Sequence, residues 1–212
     1  MKATQQFVCA AVAASLFALP TGAPAQDNRR GEVLFDLCTQ CHGTAGEGMS
    51  LALAPTIAGL GQWYLESQLK AFKGGLRGLH AEDTGGLRMY PMSLSLRNDE
   101  DIEAVAAYVA SLPRANPPAE LEGGDATKGA ASYATCAACH GPDGAGNKQL
   151  NSPALVGGSD WYLYEQLKKF KAGVRGGNPK NQNAVMMRGM AMSLADDQAM
   201  RDVVAHIMTL GN

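Results

Sequence analysis

Two short clusters of thiol and imidazole side chains hold most of the chemistry this sequence can do. Cys38-Thr39-Gln40-Cys41-His42 and Cys136-Ala137-Ala138-Cys139-His140 share the pattern Cys-x-x-Cys-His and stand 98 residues apart. On a helix, residues three apart are surface neighbours, so each pair of thiols can reach one edge of a flat ligand. The pattern is that of c-type haem attachment. Two thiols add to the two vinyl groups of one porphyrin edge as thioethers, and the adjacent His aims its imidazole at the iron. Cys38, Cys41, Cys136 and Cys139 are therefore the predicted attachment points for two haem c groups, and His42 and His140 the predicted iron ligands. Competing chemistries fit less well. A structural zinc site takes four ligands, whereas each motif offers three. A thioredoxin-like redox pair belongs beside a βαβ pattern, and alternating strand pattern is absent. Plain disulfides leave both His unexplained.

A second axial ligand should come from downstream. Met89 and Met92 recur as Met187 and Met190 at the same offset of 98. A thioether is a soft ligand, and His/Met coordination raises the reduction potential of the iron. Each iron takes one Met at most, so the surplus fills gaps around the porphyrin. Met186 and Met192 face Arg88 and Leu94 at the offset and are weaker candidates. His80 and His206 face Asn178 and Tyr108, so neither recurs, and both read as surface or interhelix residues. Pro55 and Pro153 each follow the motif His by 13 residues. Their carbonyls can accept from the His ring and fix its tautomer; the plainer reading is a loop stop. Trp63 and Trp161 could reach haem propionates through the indole N–H, although helix core is the favoured reading. Arg77 and Arg175 either neutralise propionates or are exposed charges after a glycine stop.

The elements that position these residues are written twice. With no gap, the offset carries Gly31 to Gly129, Trp63-Tyr64-Leu65 to Trp161-Tyr162-Leu163, Gln68-Leu69-Lys70 to Gln166-Leu167-Lys168, Phe72 to Phe170 and Arg77-Gly78 to Arg175-Gly176. A period of 98 is too long for a solenoid unit and suits two small domains. Leu65, Leu69, Phe72 and Leu76 form one helical face, echoed by Leu163, Leu167, Phe170 and Val174, with Gly74-Gly75 and Gly173 as stops. Ile102, Val105, Ala106, Val109 and Leu112 form another, matched by Met200, Val203, Val204, Ile207 and Leu210. Asn98 or Asp99, and Asp196 or Asp197, can cap it. A short helix over 31–37, and its copy over 129–135, should lead into each motif. Gly31 with Phe35, and Gly129 with Tyr133, allow close crossing of the first and last helices. Each half is thus at least three helices joined by long loops, too small to bury much apolar surface without something at its centre. The fold class is all-α.

Of the 212 residues, 46% are hydrophobic and 18% charged, which excludes a disordered chain. The net charge of −2 argues against a broad nucleic-acid-binding surface. Residues 26–123 carry 8 basic and 13 acidic side chains, a balance of −5; residues 124–212 carry 9 and 7, a balance of +2. Such lopsidedness is either drift on solvated surfaces or a device for orienting on partners. Lys2, the apolar run Phe7 to Leu19, the breakers Pro20 and Gly22 and the small-x-small Ala23-Pro24-Ala25 have the form of a secretory signal. The predicted organisation is a signal peptide over 1–25, which removes Cys9, a first domain over 26–113, a Pro- and Gly-rich linker over 114–125 and a second domain over 126–212. The run falls short of the ~20 apolar residues of a membrane span. The mature protein is expected in the periplasm, with peripheral membrane contact left open.

On CTQCHG and CAACHG, PTIAG and PALVG, the WYL helix with QLKAFKGG and QLKKFKAG, and MYPM and MRGM ahead of the last helices, the chain resembles the two-domain dihaem cytochromes c of the cytochrome c4 type. The resemblance covers essentially all of the mature chain. It implies two tandem class I cytochrome c domains packed about a pseudo-twofold, each wrapped around one covalently attached haem. It also implies Met89 and Met187, the first Met of each pair, as distal ligands. Two departures stand out. The stretch from Met89 to Asn98 is a residue longer than the pattern, which keeps Met92 and Met190 as candidates, and His206 stands where an aromatic is usual. The implied function is a periplasmic one-electron carrier, not an enzyme, serving redox protein partners: a membrane reductase or dehydrogenase as donor and a terminal oxidase as acceptor. The alternatives are a dihaem enzyme, of peroxidase or thiosulfate dehydrogenase type, and a cytochrome subunit of a larger oxidoreductase. A thiosulfate enzyme with a Cys distal ligand would find no spare Cys once four are spent on the haems.

Overall fold

The computed structural model describes residues 23–211, with side chains from Asn28 onward. Most of the predicted signal peptide, residues 1–22, lies outside the described residues. Eight α-helices are present among them, and no strand. In the first half these are α1 (Ala23–His42), α2 (Gln62–Lys73), α3 (Thr84–Leu94) and α4 (Asp99–Ser111). In the second half they are α5 (Ala126–His140), α6 (Asp160–Ala172), α7 (Gln182–Met192) and α8 (Asp197–Leu210). A single 3-10 turn sits between the first two helices of each half, at Ser50–Ala52 and Lys148–Leu150. The chain is all-α, as its periodicity predicts.

In each half the first helix crosses the last, and a glycine makes the crossing close. A Cβ at Gly31 would lie 2.2 Å from the Ala104 carbonyl oxygen, and one at Gly129 would lie 1.9 Å from that of Asp202. One turn on, Phe35 and Tyr133 fill the two crossings and are almost fully buried. Phe35 meets the Tyr108 ring at 5.5 Å, and Tyr133 meets His206 at 5.2 Å. His206 is thus an interhelix residue. The last helices start where the sequence places them. The Asn98 side chain accepts from the Asp101 N–H at 3.0 Å, and that of Asp196 from Ala199 at 2.9 Å. Gly173 ends α6 in the left-handed conformation, with φ of 78°.

Three features differ from the sequence expectation. The helix leading into the first motif is not short but spans 20 residues and contains the motif itself. The Met-bearing segments, to which the sequence reading assigns no helix, are the helices α3 and α7; Asp83 and Asn181 cap them by accepting from Gly86 and Ala184. Trp63 and Trp161 are half-buried and belong to neither core cluster. Trp161 instead reaches the first half, where it lines a cavity with Leu65 and Phe72.

The segment between α4 and α5 is pinned rather than free. Arg114 packs against Gly59 and Gly157, equivalent positions in the two halves. The Glu120 and Leu121 N–H groups both donate to the buried Asp160 carboxylate at 2.8 Å. The Asp125 N–H donates to Asp202 at 2.8 Å, and the Asp125 side chain caps α5.

Candidate haem sites

The first motif occupies the last turns of α1, so the helix itself sets the spacing of its thiols. Cys38, Cys41 and His42 line a cavity of about 320 Å³, a size within the usual range for ligand pockets. Its lining is mostly apolar, with Leu65, Leu69 and Phe72 from α2 and Val105 and Val109 from α4. Met89 and Met92, both on α3, lie in the same wall. Met89 is half-buried and Met92 exposed. In the second half, Cys136 and Met187 pack against the core built from Tyr133, Leu167 and Val203. Met190 is half-buried, while Met186 and Met192 are exposed.

Both motif histidines are oriented alike. The Pro55 carbonyl lies 2.8 Å from His42 Nδ1, and the Pro153 carbonyl lies 2.8 Å from His140 Nδ1. A carbonyl only accepts, so each Nδ1 carries the proton, and each Nε2 keeps a lone pair for a metal. The rings are 6% and 7% exposed, and burial holds both imidazoles below their ordinary pKa, in the neutral form that ligates. Burial pushes the Cys38 thiol up to about 11, with Cys41 adding to it, and burial also raises Cys136. These thiols stay protonated at neutral pH and are poor thiolate ligands. The four cysteines form no disulfide, and among the described residues no three Cys, His, Asp or Glu side chains converge as a metal cluster.

A haem suits what is present. An apolar slot, paired thiols and a fixed Nε2 answer its macrocycle, vinyl groups and iron. Its carboxylates have partners waiting as well. Arg77 lines the cavity, yet its buried Nε has no hydrogen-bond partner, and the same holds for Arg175 Nε.

These two arginines are not exposed charges. Each stacks over the phenylalanine of its own half, at 4.4 Å for Arg77 on Phe72 and 4.5 Å for Arg175 on Phe170. Arg77 donates to Gln68 of its own half at 2.7 Å and to Gln166 of the other at 3.2 Å. Arg175 donates to Gln166 of its own half at 2.8 Å and to Gln68 of the other at 3.0 Å. Tyr162 closes the set, accepting from Arg77 at 2.6 Å. Burial opposes ionisation of that phenol, but the two guanidiniums hold it below its ordinary pKa. Gln68 and Gln166 show in the sequence only as repeated positions; that repetition was the available signal for a shared role. Lys169 and Asp83 were missed altogether, because neither recurs. The α6 residues Trp161, Tyr162, Gln166 and Lys169 complete the wall of the first half's cavity.

Comparison with known proteins gives a consistent picture. A family model described as cytochrome c matches residues 29–113 and again 126–211. The thiosulfate dehydrogenase electron acceptor of Thiomonas intermedia is 33% identical over 171 residues, 76% of this chain and 73% of that protein. Cytochrome c4 of Stutzerimonas stutzeri is 31% identical over 181 residues, 81% of this chain and 84% of that one. Among solved structures, reduced cytochrome c4 from Pseudomonas stutzeri superposes with a TM-score of 0.67 at 27% identity, over 85% of this chain and 97% of that one. Thiosulfate dehydrogenase (TsdBA) from Marichromatium purpuratum gives 0.69 at 30% identity over 86% of this chain, which spans only 40% of that longer chain.

Proposed function

The chain belongs to the cytochrome c family, and from that premise we propose that it carries single electrons between redox proteins outside the cytoplasm. Two tandem cytochrome c domains carry two covalently bound haem c groups and make a dihaem electron carrier of the cytochrome c4 kind. The carrying observation is the doubled site: in each half, a buried neutral imidazole fixed by a proline carbonyl beside paired thiols.

In this reading Cys38 and Cys41 hold one haem and Cys136 and Cys139 the other. His42 and His140 are the proximal ligands, and Met89 and Met187 the distal ones. Held in this way, each haem would supply reversible one-electron chemistry. The chain's own residues exclude water, fix the imidazoles and supply a thioether, which favours the ferrous state. The half-buried Met89 suits this better than the exposed Met92. A spectroelectrochemical titration of the wild type, Met89→Ala and Met187→Ala tests the assignment. Each variant should lose the sulfur-to-iron charge-transfer band of one haem and lower its potential. Retention of both bands would transfer the role to Met92 and Met190.

Electrons are proposed to enter from a dehydrogenase and leave towards a terminal oxidase. The names of two similar proteins, both thiosulfate dehydrogenase electron acceptors, support a thiosulfate-oxidising donor. Thiosulfate with such an enzyme should reduce both haems, whereas thiosulfate alone should not. Reduction by thiosulfate alone would make the protein the enzyme itself. No helix among the described residues is long and apolar enough to cross a membrane. The signal peptide reading predicts an exported protein starting near Gln26, which N-terminal sequencing of the periplasmic fraction would check.

A further inference from the structure

The two halves align without a gap at the offset of 98, so each serves as a control for the other at matched positions, and a contact between them at Lys169 has no counterpart. Lys169 on α6 reaches across and donates to Asp83 Oδ1 at 2.9 Å. The Asp83 side chain is 4% exposed and that of Lys169 is 18% exposed. At the offset of 98, Asp83 becomes Asn181 and Lys169 answers to Ala71, so the reciprocal pair cannot form.

The cap of α3 does not need a charge. Asp83 Oδ1 accepts from the Gly86 N–H at 3.1 Å; in the second half, the uncharged Asn181 does the same for Ala184 at 3.3 Å. The carboxylate at 83 is thus surplus to capping. Its placement also demands a glycine. A Cβ at Gly86 would lie 2.1 Å from Asp83 Oδ2, while the equivalent Ala184 keeps its methyl beside Asn181. The first half has Asp and Gly where the second has Asn and Ala, and the difference puts a carboxylate in reach of the other domain's ammonium.

Both members of the pair line the cavity of the first half, and α3, whose first turn they hold, also carries Met89. We propose that Lys169 acts through Asp83, neutralising its carboxylate across the domain interface beside the Met89-bearing helix, so that the charge felt by the first haem site depends on docking of the second domain while the second site does not depend in the same way on the first. Removing either partner strands a charge in a poorly solvated place, where it acts strongly on its surroundings. An uncompensated carboxylate there stabilises ferric iron, and an uncompensated ammonium stabilises ferrous iron. The two single losses therefore act in opposite senses. A purely structural role would move the first site the same way whichever partner was lost, because both losses would loosen α3.

This inference rests on the haem reading above, and its test separates the two. The full-length holoprotein would be prepared as wild type, Lys169→Gln, Asp83→Asn and the double variant, with each haem followed separately by its methyl resonances in paramagnetic NMR during a redox titration. Asp83→Asn keeps the cap, as Asn181 shows, so folding is preserved. The ion pair predicts that Lys169→Gln lowers the first haem's midpoint, Asp83→Asn raises it, and the double variant returns towards wild type, with smaller shifts at the second haem throughout. Shifts of one sign in both single variants, equal shifts at both haems, or no shift at either would overturn it. Absence of haem resonances altogether would instead overturn the haem reading.

Discussion

At the scale of single residues, Asp83 carries the charge that meets Lys169 of the other half. Burial alone would raise its pKa, but the hydrogen bond and charge of Lys169, with Arg77 behind it and the Gly86 N–H in line, hold the carboxyl below its ordinary value. A carboxyl with a lowered pKa in the folded state binds fewer protons there than in the unfolded chain. Its stabilisation is therefore complete above the unfolded pKa of about 3.9 and is lost as pH falls through the lower folded value. Melting temperature measured against pH should show Asp83→Asn less stable than wild type at neutral pH, with the gap closing below about pH 4. A gap that stayed constant into acid would remove the ion pair as its cause. Residues of this kind are also where the sequence was least informative. Cys38, Cys41 and His42 are legible because their chemistry demands fixed local spacing. Pro55 is legible because Pro153 repeats it. Asp83 and Lys169 stand 86 residues apart, and only the docking of two domains brings them together.

At the scale of elements, the crossing of first and last helices organises each half, and its tolerance is set by one missing methyl group. Alanine favours a helix interior over glycine by up to about 1 kcal/mol, so Gly129→Ala would stabilise α5 if the helix stood alone. Against α8, the added Cβ would sit 1.9 Å from the Asp202 carbonyl oxygen, a backbone atom that cannot swing aside. Forcing the helices apart should cost about 1–3 kcal/mol and outweigh the propensity gain. Chemical denaturation of the second domain should therefore show a lower midpoint for Gly129→Ala; a raised midpoint would mean that α8 shifts freely. These crossings were readable, since Gly, aromatic and apolar face recur in register and the caps Asn98 and Asp196 mark where the faces begin. Helices α3 and α7 were not. Pro91 lies inside α3 and argues locally against a helix, and part of α3 faces the cavity, which leaves it no clean apolar stripe. Asp83 and Asn181 were the overlooked start signals. Trp161 was misjudged for a related reason: a large ring at helical spacing resembles core until the other domain supplies another surface.

At the scale of the whole molecule, the halves are joined by a crossed set of bonds in which Arg77 and Arg175 each donate to both Gln68 and Gln166. Arg77 has the additional acceptor Tyr162, so Arg77→Ala should loosen the interface more than Arg175→Ala. Calorimetry should then show the two domains unfolding in more widely separated steps in the first variant than in the second. The two surfaces so joined differ in charge, −5 over residues 26–123 against +2 over 124–212. A reagent meeting the first domain feels an acidic surface, and one meeting the second a mildly basic one. Stopped-flow reduction by a cationic complex such as hexaammineruthenium(II) should therefore favour the first haem at low salt, and by an anionic one such as ferrocyanide the second. The preference should fade as the screening length contracts from about 30 Å at 0.01 M to about 10 Å at 0.1 M salt. Were the charge difference only drift on solvated surfaces, both reagents would show the same order of haem reduction at every ionic strength. If the preference appears, the molecule's two ends are electrically distinct, and a protein partner with a basic rim would meet the first domain before the second.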